Sequence, residues 1–339
     1  MRFSHLSIES IAYERPPVAV SSAAMEEHLG PAIRRLRLPG NPIRLLTQIE
    51  SRYFWNRGTA VHDVAARAGA RALELAGVRP DQVGILLSTS VSREFLEPST
   101  ASIVHGLLGL PPTCRNFDLA NACLGFLDGI GVAGQLIEAG VVDYALVVNG
   151  ESSGPIVERT VERLLRPEAT SQDFWNQFAT LTLGSAAVAM VLGHTRNSRT
   201  GHRVQGMVTR ADTASSHLCR ATADEMVTDS TRLLKAGVEL ARRTWLQAAE
   251  TLPDWRVPAF SAFVNHQVGG AHMRAITEAL HVPLDRCPLT YPTWGNVGPA
   301  AVPMSLAQAA EEGLLREGQR AALMGIGSGL NVTMMAVQW

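Results

Sequence analysis

The chain has 339 residues, 46% of them hydrophobic, with 30 Lys and Arg against 31 Asp and Glu and a formal net charge of −1. This length and apolar content are enough for a large core, in one large domain or two smaller ones. The near-neutral balance, with no block of like charges, excludes a broad electrostatic grip on nucleic acid or an anionic membrane; the basic pairs Arg34–Arg35 and Arg242–Arg243 read as short solvated faces.

In chain order, residues 2–13 (RFSHLSIESIAY) alternate like an edge strand and lack the apolar core of a signal peptide. Residues 62–77 place Val64, Ala68, Ala72, Leu73 and Leu75 near one helical stripe, and VGILLSTSV (83–91) reads as a strand buried on both faces. Residues 123–140 form a second helical pattern, with Phe126, Ile130, Ala133 and Ile137 on one face and Gly140 at its C-terminal cap. Strands follow at 143–151 and 185–193, around a more polar, helical stretch at 152–182 that reads as an insertion capping the core. Further apolar runs at 261–267, 320–329 and 333–339 read as strands, with a helix at 304–313 between the first two. Alternating strands and helices imply an α/β fold with a largely parallel sheet. No apolar run is long enough to span a bilayer, so a soluble, cytoplasmic protein is expected. The four cysteines (Cys114, Cys123, Cys219, Cys287) are scattered, with no CxxC pair and no zinc-ligand spacing, so they are expected as free thiols with no metal.

The two halves echo one another. Cys123, a helix stopping at Gly140 and the strand YALVVNGE are followed by AAVAMVLG. GNVGPAAV, a helix stopping at Gly313 and RAALMGIGSG are followed by TMMAVQW. The echo implies two similar halves, 1–195 and 196–339, in one compact body with their equivalent helices side by side at the centre. Gly125, Gly129, Gly131 and Gly134 would then face the duplicate helix.

Several residues stand where chemistry could occur. Cys123 precedes a helix whose unpaired amides and dipole would favour a thiolate; a buried structural cysteine is the plainer alternative. His266 lies where an apolar strand ends, the edge at which α/β sheets bind ligands, and reads as a base, a hydrogen-bond donor or a satisfied loop histidine. Asn296, between Gly295 and Gly298, could donate its amide to a carbonyl or simply cap a helix. MGIGSGLN (324–331) has glycines spaced like a dinucleotide loop, but it leads into a strand, so a tight turn is the better reading. GESSG (150–154) fits a nucleophile elbow with Ser152, yet no histidine follows late enough in the chain for that order. Glu97 precedes a helix start at Ser99–Thr100, either as a solvated carboxylate or as a functional one.

Together, DLANACLGF at Cys123, NHQ at His266, GNVGPAAVP at Asn296 and GIGSGLN resemble the ketoacyl synthase III branch of the thiolase superfamily over nearly the whole chain. Within that branch TSVSREFLEPSTASIV, DYALVVNGE, TLGSAA and LCR…MVTD are similar to the head-to-head acyl-CoA condensing enzymes of bacterial olefin biosynthesis, the OleA group. The resemblance implies a duplicated five-layered α/β/α/β/α fold, normally a homodimer, although a heterodimer is also open. It implies Cys123 as nucleophile, His266 and Asn296 as oxyanion or enolate donors, and Ser328 as a backbone N–H donor. It implies Glu97 as a base reaching the partner's site. The reaction implied is a non-decarboxylative condensation of two fatty acyl-CoA thioesters to a β-keto acid, with no cofactor beyond those substrates. Condensation with a malonyl donor, acyl transfer to a hydroxyl or amine, and a non-catalytic partner subunit remain as alternatives. One departure concerns coenzyme A: the initiation synthases carry Thr-Gly-Ile-x-x-Arg where this chain has Thr47-Gln48-Ile49-Glu50-Ser51-Arg52, so their contacts there do not carry over.

Overall fold

The β-branched and aliphatic runs become strands and the amphipathic stretches become helices in a computed structural model describing all 339 residues. The first half comprises β1 (Leu6–Glu14), β2 (Val18–Ser21), α1 (Ser22–His28), α2 (Gly30–Arg35), α3 (Pro42–Thr47), β3 (Ser51–Phe54), α4 (Val61–Ala76), β4 (Val83–Ser88), α5 (Thr100–Leu107), β5 (Arg115–Asp118), α6 (Gly125–Glu138), β6 (Tyr144–Glu151), α7 (Gly154–Leu165), α8 (Ser171–Gln177) and β7 (Ala186–His194). The second comprises β8 (Arg203–Ala211), β9 (Cys219–Ala221), β10 (Met226–Thr228), α9 (Ser230–Thr251), β11 (Ala262–Asn265), α10 (Gly270–Leu280), α11 (Tyr291–Trp294), α12 (Ala301–Glu311), β12 (Arg320–Gly327) and β13 (Asn331–Gln338).

Nine strands run in the order β11-β12-β13-β8-β1-β7-β6-β4-β5. Followed inward from each end, the path repeats. β11 is parallel to β12 as β4 is to β6. Both β12–β13 and β6–β7 are antiparallel, as are β13–β8 and β7–β1, so the sheet is not largely parallel as the alternating elements implied. The first half adds β5 outside β4. The two half-sheets meet along a short antiparallel seam, Ser7 with Arg203 and Arg2 with Gly206. β1 is therefore not an edge strand: it lies between β7 and β8, and its Leu6–Glu9 stretch is buried on both faces.

Strand alternation then sets the layers, because successive side chains leave opposite faces. Ile85, Leu87, Ala145 and Val147 join Phe126 and Ile130 of α6, Met304 and Leu306 of α12, and Val264 and Leu323 from the other half-sheet in one central core. Leu86, Leu146 and Val148 face Val64 and Ala68 of α4 and Ala101 and Val104 of α5. Phe263, Ala322 and Met324 face Leu240 and Ala248 of α9 and Met273 and Ile276 of α10. The result is α4/α5, sheet, α6/α12, sheet, α9/α10: a five-layered thiolase-like fold. A smaller cluster of Met25, Leu29, Ile43, Val157, Leu164 and Phe174 ties α1 and α3 to α7 and α8.

The glycines of α6 serve a different neighbour from the one expected. A Cβ on Gly129 would lie 2.9 Å from Val147 Cγ1, and one on Gly134 would lie 2.7 Å from Leu6 Cδ2 and 2.8 Å from Phe3. At Gly131 it would meet Met207 Sδ at 2.7 Å, and at Gly125 the carbonyl oxygens of Thr89 and Leu119 at 2.9 and 3.3 Å. They let α6 lie close on strands and on the loop after β4, not on its duplicate α12.

Candidate active site

Cys123 sits just before α6, behind Ala122, which adopts a left-handed φ of +46°. Two of the amides nearest the thiol are already used. Leu124 N–H donates to Asn121 O at 3.0 Å, and Gly125 N–H donates to Ala122 O at 3.2 Å. Cys123 is half-buried, and burial pushes its thiol up to about 12, with smaller upward contributions from the charges of Glu151 and Cys219. This corrects the thiolate expected from the sequence: the resting group is a thiol, because desolvation opposes the charge more strongly than the backbone N–H of Cys123 favours it.

β12 acts as a ruler across the site. Its last residue, Gly327, backs onto the nucleophile segment: a Cβ there would lie 3.4 Å from Cys123 N and 3.2 Å from Leu124 N. Three residues earlier, Met324 O accepts the backbone N–H of His266 at 2.8 Å. At about 3.3 Å per residue these two attachment points are roughly 10 Å apart, close enough for side chains to converge. β12 and β13 pair Gly327 with Asn331, so Ser328, Gly329 and Leu330 form the tight turn expected there. The backbone N–H groups of Cys123 and Ser328 donate to no other group of the protein.

His266 is buried. Burial, and secondarily the nearby His272, lower its pKa to about 3, so the imidazole is neutral. Burial takes His272 to about 4, and the two rings stand edge to face at 6.3 Å. The following residue fixes the segment: Gln267 Oε1 accepts from the N–H groups of Thr290 and Tyr291 at 2.9 and 3.1 Å, and its amide donates to Pro288 O at 2.7 Å.

Asn296 is buried and is threaded between Thr182 and Gly184 by backbone bonds of 2.8 and 2.9 Å. Its Oδ1 accepts the Gly298 N–H at 3.0 Å, which turns the amide nitrogen away as a free donor. It is therefore both a turn residue and a candidate donor. Gly298 in turn faces Glu151, whose Cγ and Cδ would lie 3.9 and 4.0 Å from a Cβ at that position.

Sequence reasoning did not single out Glu151, although a carboxylate at the end of an apolar strand is a visible signal. Burial raises its pKa. It accepts from Val91 N–H at 2.7 Å, Ser92 N–H at 3.1 Å, Ser92 Oγ at 2.8 Å and Asn149 Nδ2 at 3.1 Å. It thus roots the loop that leads to Glu97. Glu94 holds the same loop from the other side, accepting Val61 N–H at the start of α4 and lying 3.4 Å from His62 Nδ1. Beyond these anchors Phe95 and Leu96 are 51% and 90% exposed. Glu97 is exposed too and makes no hydrogen bond within the chain, apart from the network that holds the other site residues. Ser152 is held through its backbone by Ser92 Oγ, and no histidine bonds to it, so no serine triad forms. Gln48 adopts φ +59°, the left-handed conformation that favours the glycine of the related pattern. Its Oε1 accepts from Arg274 at 3.0 Å and Tyr291 at 3.3 Å.

Residues 117–213 match the family model described as 3-Oxoacyl-[acyl-carrier-protein (ACP)] synthase III, and residues 253–339 match its C-terminal model. The chain is 40% identical over 339 residues to the Acyl-CoA:acyl-CoA alkyltransferase of Xanthomonas campestris, covering 100% of both. It is 34% identical to the protein of the same name from Shewanella oneidensis, again covering 100% of both. A Beta-ketoacyl-[acyl-carrier-protein] synthase III of Cereibacter sphaeroides is 28% identical over 88% of this chain and 90% of its own. Among solved structures, a cysteine-to-serine variant of Xanthomonas campestris OleA with bound lauric acid and lauroyl-CoA superposes with a TM-score of 0.97 at 39% identity, covering 99% of this chain and 100% of that one. Cerulenin-bound OleA gives 0.98 at 39% identity over 100% and 98%. Full-length identity at this level and a shared five-layered fold make this chain a thiolase-superfamily condensing enzyme, a member of the acyl-CoA:acyl-CoA alkyltransferase family within the 3-oxoacyl-[acyl-carrier-protein] synthase III group.

Proposed function

We propose that the chain catalyses a non-decarboxylative Claisen condensation of two fatty acyl-CoA thioesters through an acyl-Cys123 intermediate, giving a β-keto acid. The observation that supports this reading is the attachment along β12 of a half-buried thiol and two undonated backbone N–H groups at Gly327, and of a neutral, buried His266 at Met324 three residues earlier. The Cys123 sulfur attacks the first thioester and gives up its proton, and coenzyme A leaves as the free thiol. The N–H groups of Cys123 and Ser328 receive the oxyanion, each such donor being worth roughly 3 kcal/mol in the transition state. The carbonyl of the second thioester accepts hydrogen bonds from His266 and from the Asn296 amide. Its α-proton goes to Glu97 of a partner copy. The resulting carbanion displaces the Cys123 sulfur from the acyl carbon, and hydrolysis of the remaining thioester yields the β-keto acid and a second coenzyme A. No electrons are gained or lost, so the thioesters suffice without a redox cofactor.

Support for an external base is chemical. A malonyl donor makes its carbanion by losing carbon dioxide, whereas an ordinary acyl-CoA needs a base within hydrogen-bond reach. Glu97, on a pinned loop with exposed apolar flanks beside the unpaired edge of β5, suits delivery to a second copy, and we infer a homodimer. The repeated strand path supports a division of labour between halves 1–195 and 196–339, with 152–182 as the cap of the first. No helix is long and apolar enough to cross a membrane, which agrees with a reaction in the cytoplasm.

The test uses a long-chain acyl-CoA. Wild-type enzyme should release coenzyme A and form a β-keto acid, read as its decarboxylated ketone. Glu97→Gln should abolish ketone while an acyl mass still appears on Cys123. Normal condensation by Glu97→Gln, or turnover only with a malonyl donor, would show this reading to be wrong.

A further inference from the structure

Two amide side chains and one carboxylate, none of them in the reaction scheme above, join the two halves directly behind the nucleophile. Asn121 lies two residues before Cys123. Its Nδ2 donates to Asp128 Oδ2 at 2.6 Å, one face along α6. Its Oδ1 accepts from Asn331 Nδ2 at 3.1 Å, across 210 positions of sequence. Asp128 is partly buried, and burial raises its pKa while the bond from Asn121 lowers it. A carboxylate can only accept, so Asp128 fixes which end of the Asn121 amide faces Asn331. Asn331 is the first residue of β13 and closes the turn Ser328–Leu330. That turn folds back on it, since a Cβ on Gly329 would lie 2.7 Å from Asn331 Nδ2. On the other side, a Cβ on Gly327 would touch Asn121 O at 3.2 Å and Cys123 N at 3.4 Å.

The chain Asp128–Asn121–Asn331 therefore spans the only gap that matters for two backbone donors. One N–H, that of Cys123, belongs to the first half, and the other, that of Ser328, to the second. Nothing covalent near the site sets their spacing. We propose that Asn121, held by Asp128 and gripping Asn331, is a positioning residue that sets the separation of the two oxyanion donors. This rests on the reading of Cys123 as the nucleophile and of the Cys123 and Ser328 amides as the oxyanion site.

The physical logic gives a test with an internal control. Attack on a thioester builds negative charge on oxygen and needs both donors. Alkylation of the same thiol by iodoacetamide displaces iodide at a saturated carbon and builds no oxyanion. Asn121→Asp sets a carboxylate against Asp128 and breaks the chain. Asn121→Asp with Asp128→Asn rebuilds it with its polarity reversed: the new amide donates to Asp at 121, which still accepts from Asn331. Acylation of Cys123 by an acyl-CoA, followed by mass in a single turnover, should fall on the order of a hundredfold in Asn121→Asp, the scale of a misplacement of about 1 Å. Iodoacetamide labelling of Asn121→Asp should fall far less than acylation does, only as far as the added carboxylate disfavours the thiolate. The double variant should recover most of the acylation. Asn331→Ala, which removes only the far grip, should show the same split between acylation and alkylation, and it carries the test alone should Asn121→Asp not fold.

Wild-type acylation in Asn121→Asp, an equal loss of acylation and alkylation, or no rescue in the double variant would each overturn the positioning role while leaving Cys123 as nucleophile. A wild-type enzyme that takes no acyl group on Cys123 would overturn the underlying reading itself, and the positioning role with it.

Discussion

His266 and His272 show how burial decides what a histidine can do. Both are kept neutral, with pKa values near 3 and 4 against an ordinary 6.5. Their titration also fixes a stability signature. The unfolded chain takes up these protons as pH falls through 6.5, while the folded chain does not until pH reaches about 4 and then about 3. Acid therefore favours the unfolded state: this contribution is complete above pH 6.5 and is lost on acidification below it, by up to about 1.4 kcal/mol per pH unit for each group. Urea midpoints at pH 7, 6 and 5 should fall less steeply for His266→Asn than for the wild type; parallel slopes would contradict the assignment. At Cys123 the sequence suggested a helix-stabilised thiolate. The helix was legible from its periodicity. That Asn121 O and Ala122 O would occupy the amides of Leu124 and Gly125 was not, because it depends on the left-handed turn at Ala122.

At the scale of single elements, α6 gathers four glycines that weaken a helix by up to about 1 kcal/mol each relative to alanine. Their neighbours predict which of them can be replaced. A methyl at Gly125 would press on the fixed carbonyls of Thr89 and Leu119, whereas one at Gly131 would meet only the flexible end of Met207. Gly125→Ala should lose about 1–3 kcal/mol through overpacking. Gly131→Ala should be near neutral, its steric cost offset by the helix propensity gained. Denaturant unfolding of the two variants checks this, and equal losses would contradict it. The sequence showed that these glycines needed a close neighbour but not which one, since α6 is covered by strands and a loop as well as by its duplicate helix. The Asn121–Asn331 bond was equally hidden, because nothing local in either residue points to a partner 210 positions away. The role of Glu151 was hidden in the same way, because the loop it holds, at Val91 and Ser92, is about 60 positions away.

For the molecule as a whole, the echo between Cys123–Gly140–YALVVNGE and GNVGPAAV–Gly313–RAALMGIGSG made the duplication visible in advance, and the mirrored strand path has the same order. What each half gives the other was not visible, because the joint is a single strand pair and a shared helical layer. Assembly yields a further test. If Glu97 acts in its partner's site, inactive Cys123→Ala and inactive Glu97→Gln proteins should regain activity when unfolded together and refolded. Random pairing leaves about one site in four intact, the site in a mixed dimer that holds both the native thiol and the native carboxylate. No recovery despite mixed dimers would place Glu97 in its own site or outside the chemistry.

The seam between the half-sheets also makes this a naturally divisible catalyst. The segment from Thr195 to His202 that links β7 to β8 runs along the surface, and Gly201 turns it at φ +75°. A break there would separate a polypeptide carrying the thiol and Glu97 from one carrying His266, Asn296 and Ser328. Each would bare one flank of the central layer, where Phe126 and Met304 now share a core. The two fragments, inert apart, should find one another through that bared surface. Co-expressing them and recovering acyl transfer would turn the enzyme into a reporter that reads out the meeting of its own halves, and two soluble fragments that never combine would count against a seam held by the shared core.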